Sequence, residues 1–138
     1  MMNLIFKRIA ASIIVLFLVT NCFGQNNVKK YLAHNHNYST DYSYSIREII
    51  IHPDSTYIFK NYSVSSKKEW KTYKQYKPEI SSGTITKSSD YFVLTEYRSG
   101  HETDFSWTVK ISDRKIVFFF PNRKGKMRTA IAYKRIYN

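Results

Sequence analysis

The sequence predicts an all-β domain: an antiparallel meander of seven or eight strands, closing into a barrel or staying a half-open barrel or sandwich, preceded by an N-terminal signal helix. Three observations carry this. Past residue 40 the apolar side chains recur with a period of two. Short Pro, Asp, Ser and Gly signals separate the runs. The 138 residues are 43% hydrophobic and 17% aromatic, with 12 Tyr and 9 Phe, too apolar for a disordered chain. The length suits one domain. A single Cys excludes a disulfide-stapled scaffold and a cysteine-based zinc site.

Residues 1–24 read as a signal peptide. Lys7 and Arg8 form a basic start, and Ile9 to Val19 is an uncharged apolar run. At 1.5 Å per residue that run spans only about half of a roughly 30 Å hydrocarbon core, short for a permanent span. Cys22 and Gly24 are small residues at the −3 and −1 positions of a cut before Gln25, the pattern of soluble export. A second reading makes Cys22 the lipid-modified first residue of a lipoprotein. Val19 fits that box, whereas Asn21 stands where such boxes carry Gly, Ala or Ser. An uncleaved anchor is the third reading. Removing the leader takes away only Lys7 and Arg8 from a chain of net charge +12, so the remainder stays strongly basic.

Residues 25–40 are polar, Asn-rich and aperiodic, which predicts a tether; residues 41–138 form the single β domain. Tyr42, Tyr44 and Ile46 alternate with Ser43, Ser45 and Arg47 and run into Ile49-Ile50-Ile51, a strand. His52-Pro53-Asp54-Ser55 is a turn, and residues 56–64 are a strand rich in aromatic and β-branched residues. Residues 65–78 are open between an extended arm, which irregular Thr/Tyr/Lys alternation before Pro78 favours, and a short helix. Ser66 and Glu69 have capping-box spacing for the latter. Strands follow at 82–87 and 91–97. Ser99-Gly100 begins a hairpin connection. Phe105, Trp107, Val109 and Ile111 alternate cleanly with Ser106, Thr108 and Lys110, the best amphipathic strand. Residues 115–120 are apolar on both faces, so this strand lies centrally or bears an outer hydrophobic patch. Pro121 stops it, a basic turn with Gly125 follows, and residues 127–136 form the last strand. An eight-stranded meander can close and leave no edges, its interior filled by side chains or holding one small ligand.

Ser82-Gly83-Thr84-Ile85, the polar turn at Asp90 and Phe92-Val93-Leu94 resemble a pattern in lipocalin-like proteins exported by Gram-negative bacteria. There a Gly-Thr-Trp strand leads through a Gly-Asp turn into a Leu-x-Leu strand. Asp54 to Phe59 resembles their preceding Asp-Gly-Thr-Phe strand. Ile85 stands in place of the Trp and Ser89 in place of the turn Gly. The resemblance implies a lipocalin-like barrel and export, to the periplasm, cell envelope or outside the cell. It implies no activity, and it transfers no functional residue.

Few chemistries have residues to support them. His34 and His36 would share one face of a strand, usable for a metal, but no third ligand is near in sequence, so no metal site is expected. His101, Glu102 and Asp104 combine a base with carboxylates, as acid–base work needs, yet an exposed hairpin tip is polar in any case. There is no G-x-S-x-G elbow, Walker loop or H-E-x-x-H, and only four glycines. A non-catalytic protein without cofactor is expected.

The basic residues fall into two clusters, Lys67, Lys68, Lys71 and Lys74, then Arg123, Lys124, Lys126 and Arg128. Trp70, Tyr73 and Tyr76 are interleaved as bases would need for stacking, but export argues against nucleic acid. The clusters would suit an anionic envelope component or an acidic partner, or are a solvated face and charges guarding the VFFF run. The interior is expected to be Phe92, Leu94, Phe105, Trp107, Val109, Phe118 and Tyr133. The expected function is binding a small apolar ligand or an envelope-associated structural role; the alternative is a basic interaction module. Membrane attachment is expected only through Cys22.

Overall fold

The structure is a computed structural model, and it describes residues 27–137. Eight strands run in order: β1 (Lys29–Asn37), β2 (Ser43–Ile51), β3 (Thr56–Val64), β4 (Glu79–Ser88), β5 (Tyr91–Arg98), β6 (His101–Ile111), β7 (Lys115–Pro121) and β8 (Met127–Ile136). Each pairs antiparallel with its neighbour in sequence, and β1 pairs with β8, so the meander closes as a barrel. Among the described residues no helix is long and apolar enough to cross a membrane. The signal helix and Cys22 lie outside the described residues.

Two expectations are corrected. Lys29–Asn37, expected within a tether, is a strand paired along its whole length to β2, from Lys29 opposite Ile51 to Asn37 opposite Ser43. Its apolar pattern is weak because backbone pairing holds it, with Tyr31 alone fully buried. The segment after β3, favoured as an extended arm, is a 3₁₀ helix, Lys67–Gln75, kinked at Thr72. The capping residues decide it. Glu69 Oε2 accepts from the Ser66 backbone N–H at 3.0 Å and the Ser65 hydroxyl at 2.6 Å, while Tyr76 OH donates to Oε1 at 2.6 Å. These bonds, those of Ser65 and Tyr76 foremost, hold the Glu69 carboxyl down at about 2.

Consecutive antiparallel strands place alternate connections at opposite ends. The β2–β3, β4–β5 and β6–β7 turns share one end, here the base. The β1–β2, β5–β6 and β7–β8 turns and the 3₁₀ helix share the other, the mouth. Four of the turns use residues that tolerate the left-handed region: Ser55 (φ 63°) and Ser89 (φ 54°) at the base, Ser99 (φ 53°) with Gly100 (φ 80°), and Gly125 (φ 75°), at the mouth.

The base is tightly closed. Tyr31, Ile49, Leu94, Val109 and Ile116 are at most 2% exposed and form one cluster. Tyr31 OH donates to the Ser112 carbonyl at 2.8 Å. Asp113 receives Lys29 at 3.1 Å and Arg135 at 3.5 Å, and the Arg135 guanidinium lies over Tyr31 and Tyr137. Two ladders lapse toward the mouth. β1 and β8 pair only at Lys30–Leu32 against Lys134–Ile136, and β6 and β7 only at Thr108–Ile111 against Ile116–Phe119. The wall therefore flares.

A second core lies outside the barrel. The 3₁₀ helix covers the outward side chains Tyr44, Ile46, Tyr62 and Val64 with Tyr73, and Leu32, Trp70 and Tyr76 pack at its edge. Tyr73 OH donates to the buried Glu48 carboxylate. Trp70 stacks on His34 at 4.2 Å. The apolar outer face of β7 is a patch: Phe119 meets Tyr91 edge-on at 5.3 Å, and Lys110 lies over both rings.

Candidate functional site

Inward positions on the strands meet in the flared half to line a partly open cavity of about 360 Å³. Its apolar wall is Phe59, Leu94, Trp107, Phe118, Phe120 and Ile131. Its polar lining is Arg47, Tyr57, Ser81, Glu96 and Tyr133. The volume sits at the low end of the roughly 300–1,000 Å³ typical of small-molecule pockets, and an apolar lining with a few polar groups is their usual make-up.

Gly83 makes the arrangement possible. It pairs with Tyr57 on one side and Glu96 on the other. A Cβ there would lie 1.9 Å from the Thr95 carbonyl oxygen and 2.8 Å from Tyr57 Cε1, so only glycine lets the Tyr57 ring cross β4 at this height.

The polar groups are unevenly satisfied. Glu96 is 8% exposed and takes Arg98 at 3.1 Å. Tyr57 is 2% exposed, yet its hydroxyl has no hydrogen-bond partner among the described residues; burial, then the Glu96 charge, push it up to about 12. Burial also raises Tyr133, against the pull of the Arg47 charge and hydrogen bond. Arg47 has no carboxylate within 4.0 Å among the described residues. Beside the cavity, Asn61 is the cross-strand partner of Arg47, and its buried Oδ1 has no partner among the described residues. A buried polar group without a partner is costly and uncommon, and here two occur in one region.

Of the expected interior residues, Leu94, Trp107, Phe118 and Tyr133 line the cavity. Val109 lies in the packed base, with Phe92 against it. Phe105 is corrected: it is 58% exposed. The β5–β6 register shifts between Thr95 and Tyr97, so the strict alternation that would turn Phe105 inward is broken, and its ring lies beside Arg98. Arg47, Tyr57, Phe59 and Glu96 were not singled out from the sequence. Parity is the signal that locates them: Arg47 is two before Ile49, Glu96 two after Leu94.

The His34–His36 pair faces outward among aromatics. His34 Nδ1 is 2.5 Å from Tyr44 OH, and His36 Nδ1 is 2.9 Å from Tyr42 OH. Burial, with Lys67 and Lys134 nearby, lowers the His34 pKa. No group of three metal-ligating side chains occurs among the described residues. His101, Glu102 and Asp104 are exposed at the hairpin, with Glu102 3.4 Å from Tyr97 OH. Lys67, Lys68, Lys71 and Lys74 are exposed on the 3₁₀ helix, and Arg123, Lys124, Lys126 and Arg128 are exposed at the β7–β8 turn and the start of β8. Both clusters stand at the mouth, and neither lines the cavity. No protein-family model, no curated protein and no solved structure matches the chain.

Proposed function

We propose that the chain is an exported, non-catalytic, lipocalin-like binding protein that holds a small, mainly apolar molecule inside its barrel. The observation that carries this is the 360 Å³ aromatic-walled cavity in a barrel small enough for side chains to fill completely. Export rests on the basic start and short apolar run of residues 7–19. The intact mass of protein from its own cell tests it: a chain beginning at Gln25 supports soluble export, and an acylated chain beginning at Cys22 supports a lipoprotein. A full-length chain opposes both.

Ligand holding is tested with an apolar fluorophore. One-to-one binding is expected, abolished by Ser81→Trp, which fills the cavity at a half-exposed position. Binding unchanged by that substitution would place the probe elsewhere and end this reading. A second reading is an interaction module for an anionic envelope component. It draws support from the two basic clusters sharing one end of the barrel, and it predicts affinity falling steeply with salt; salt-independent binding eliminates it.

A further inference from the structure

Resting on the reading of the cavity as a ligand site, we infer that its ligand is a single-chain carboxylate, the headgroup held by Arg47 with the free Tyr57 hydroxyl as a second donor. The apolar wall takes the chain. Three observations converge. First, the charge inside the cavity is unbalanced. Arg47 and Glu96 both line it, but Glu96 is held by Arg98 at 3.1 Å, whereas Arg47 has no carboxylate within 4.0 Å among the described residues. A guanidinium against aromatic walls with no counter-ion suits an anion, and its planar fork suits a carboxylate. Second, the Tyr57 side chain lines the same space, and its buried hydroxyl has no hydrogen-bond partner among the described residues. Burial and the Glu96 charge keep it protonated, so it is a donor waiting for an acceptor. Third, exposed Lys67, Lys71, Arg123 and Lys126 lie in connections at the mouth end of the barrel, and a field of that sign draws anions toward it.

Size narrows the class. At roughly 30 Å³ for each water-sized group, the cavity holds on the order of a dozen non-hydrogen atoms. A medium chain such as decanoate matches that size, and a longer chain would have to extend out through the cavity's opening.

The test is calorimetry on the full chain with decanoate and with decanol, its uncharged counterpart. Decanoate is expected to bind on the order of tenfold or more tighter, the scale of one charge-assisted contact. Arg47→Met is expected to bring the two together, and Tyr57→Phe to weaken decanoate by a few-fold with decanol unchanged. Should Arg47→Met misfold, carboxyl-labelled decanoate bound to the unsubstituted chain is followed by NMR against pH. Its carboxyl is expected to titrate below that of free decanoate, despite the nearby Glu96, and a bound carboxyl titrating above the free value overturns the assignment. Equal affinity for the two compounds overturns the carboxylate and leaves the cavity reading standing. Binding of neither overturns both.

Discussion

The base and the mouth of this barrel are made from the same eight strands, yet one is a packed core and the other a lined space. At the base every ladder is paired, including β1 with β8, and the side chains are aliphatic or sealed, with Tyr31 tied to Ser112. At the mouth two ladders lapse, and aromatic rings face one another across a gap. Where pairing continues around the circumference, opposite walls come close enough for Ile and Val to fill the interior. Where it stops, the wall spreads and even Phe, Tyr and Trp leave room. The packed core and the candidate site thus occupy opposite ends of one meander.

The largest expected effect comes from removing the feature that serves both ends. Gly83→Ala drives a methyl into the Thr95 carbonyl, so β4 and β5 must part. A loss of more than about 3 kcal/mol is expected, enough to leave a marginal domain largely unfolded, as read by circular dichroism. Next, Ile116→Ala at the base should cost about 2–4 kcal/mol in urea unfolding. Phe120→Ala at the mouth, where the ring is 47% exposed, should cost under about 1 kcal/mol. Equal losses would erase the distinction between the two ends.

Tyr57→Phe sharpens it differently. Deleting an unpartnered buried hydroxyl should stabilise the protein by about 1 kcal/mol. Because the folded value is raised from 10 to about 12, folding loses stability as pH climbs from 10 toward 12. Alkaline denaturation should therefore be blunted in this variant; a destabilised variant would show that the hydroxyl has a structural partner.

The smallest effect lies on the outer core. The Glu69 carboxyl is depressed from 4.5 to about 2, so its contribution is present above 4.5 and fades as pH falls toward 2. Trp70 fluorescence should report loosening of the 3₁₀ helix in that range. Glu69→Gln should show the loosened signal already at neutral pH and lose the acid transition.

Much of this was legible because hairpin strands announce themselves. β6 and β8 follow from alternation and flanking turns, and Ser99-Gly100 has the backbone its residues suggest. The misreadings of β2 and β1 share a cause. In β2 the apolar partners Tyr44 and Ile46 point outward, beneath the 3₁₀ helix, while the polar-looking alternate Arg47 points in. Alternation reveals two faces but not which one is inside, and a helix covering the outer face makes both apolar. β1 was hidden for the same reason in weaker form, its inward and outward contacts being only Tyr31, Ala33 and Leu32. Phe105 was misplaced because a register shift is invisible to a period-two count.

The interrupted ladders flank the same hairpin. On one side β7 leaves β6 beyond Phe119, and on the other β8 leaves β1 before Lys134. The outer part of this hairpin carries Phe120 and Ile131 of the cavity wall and is attached to the sheet only at its root. Swinging it outward would break side-chain contacts but no amide bonds to β1 or β6, so the cavity could open while the barrel stays folded. Its amides should exchange with solvent sooner than those of any other strand pair.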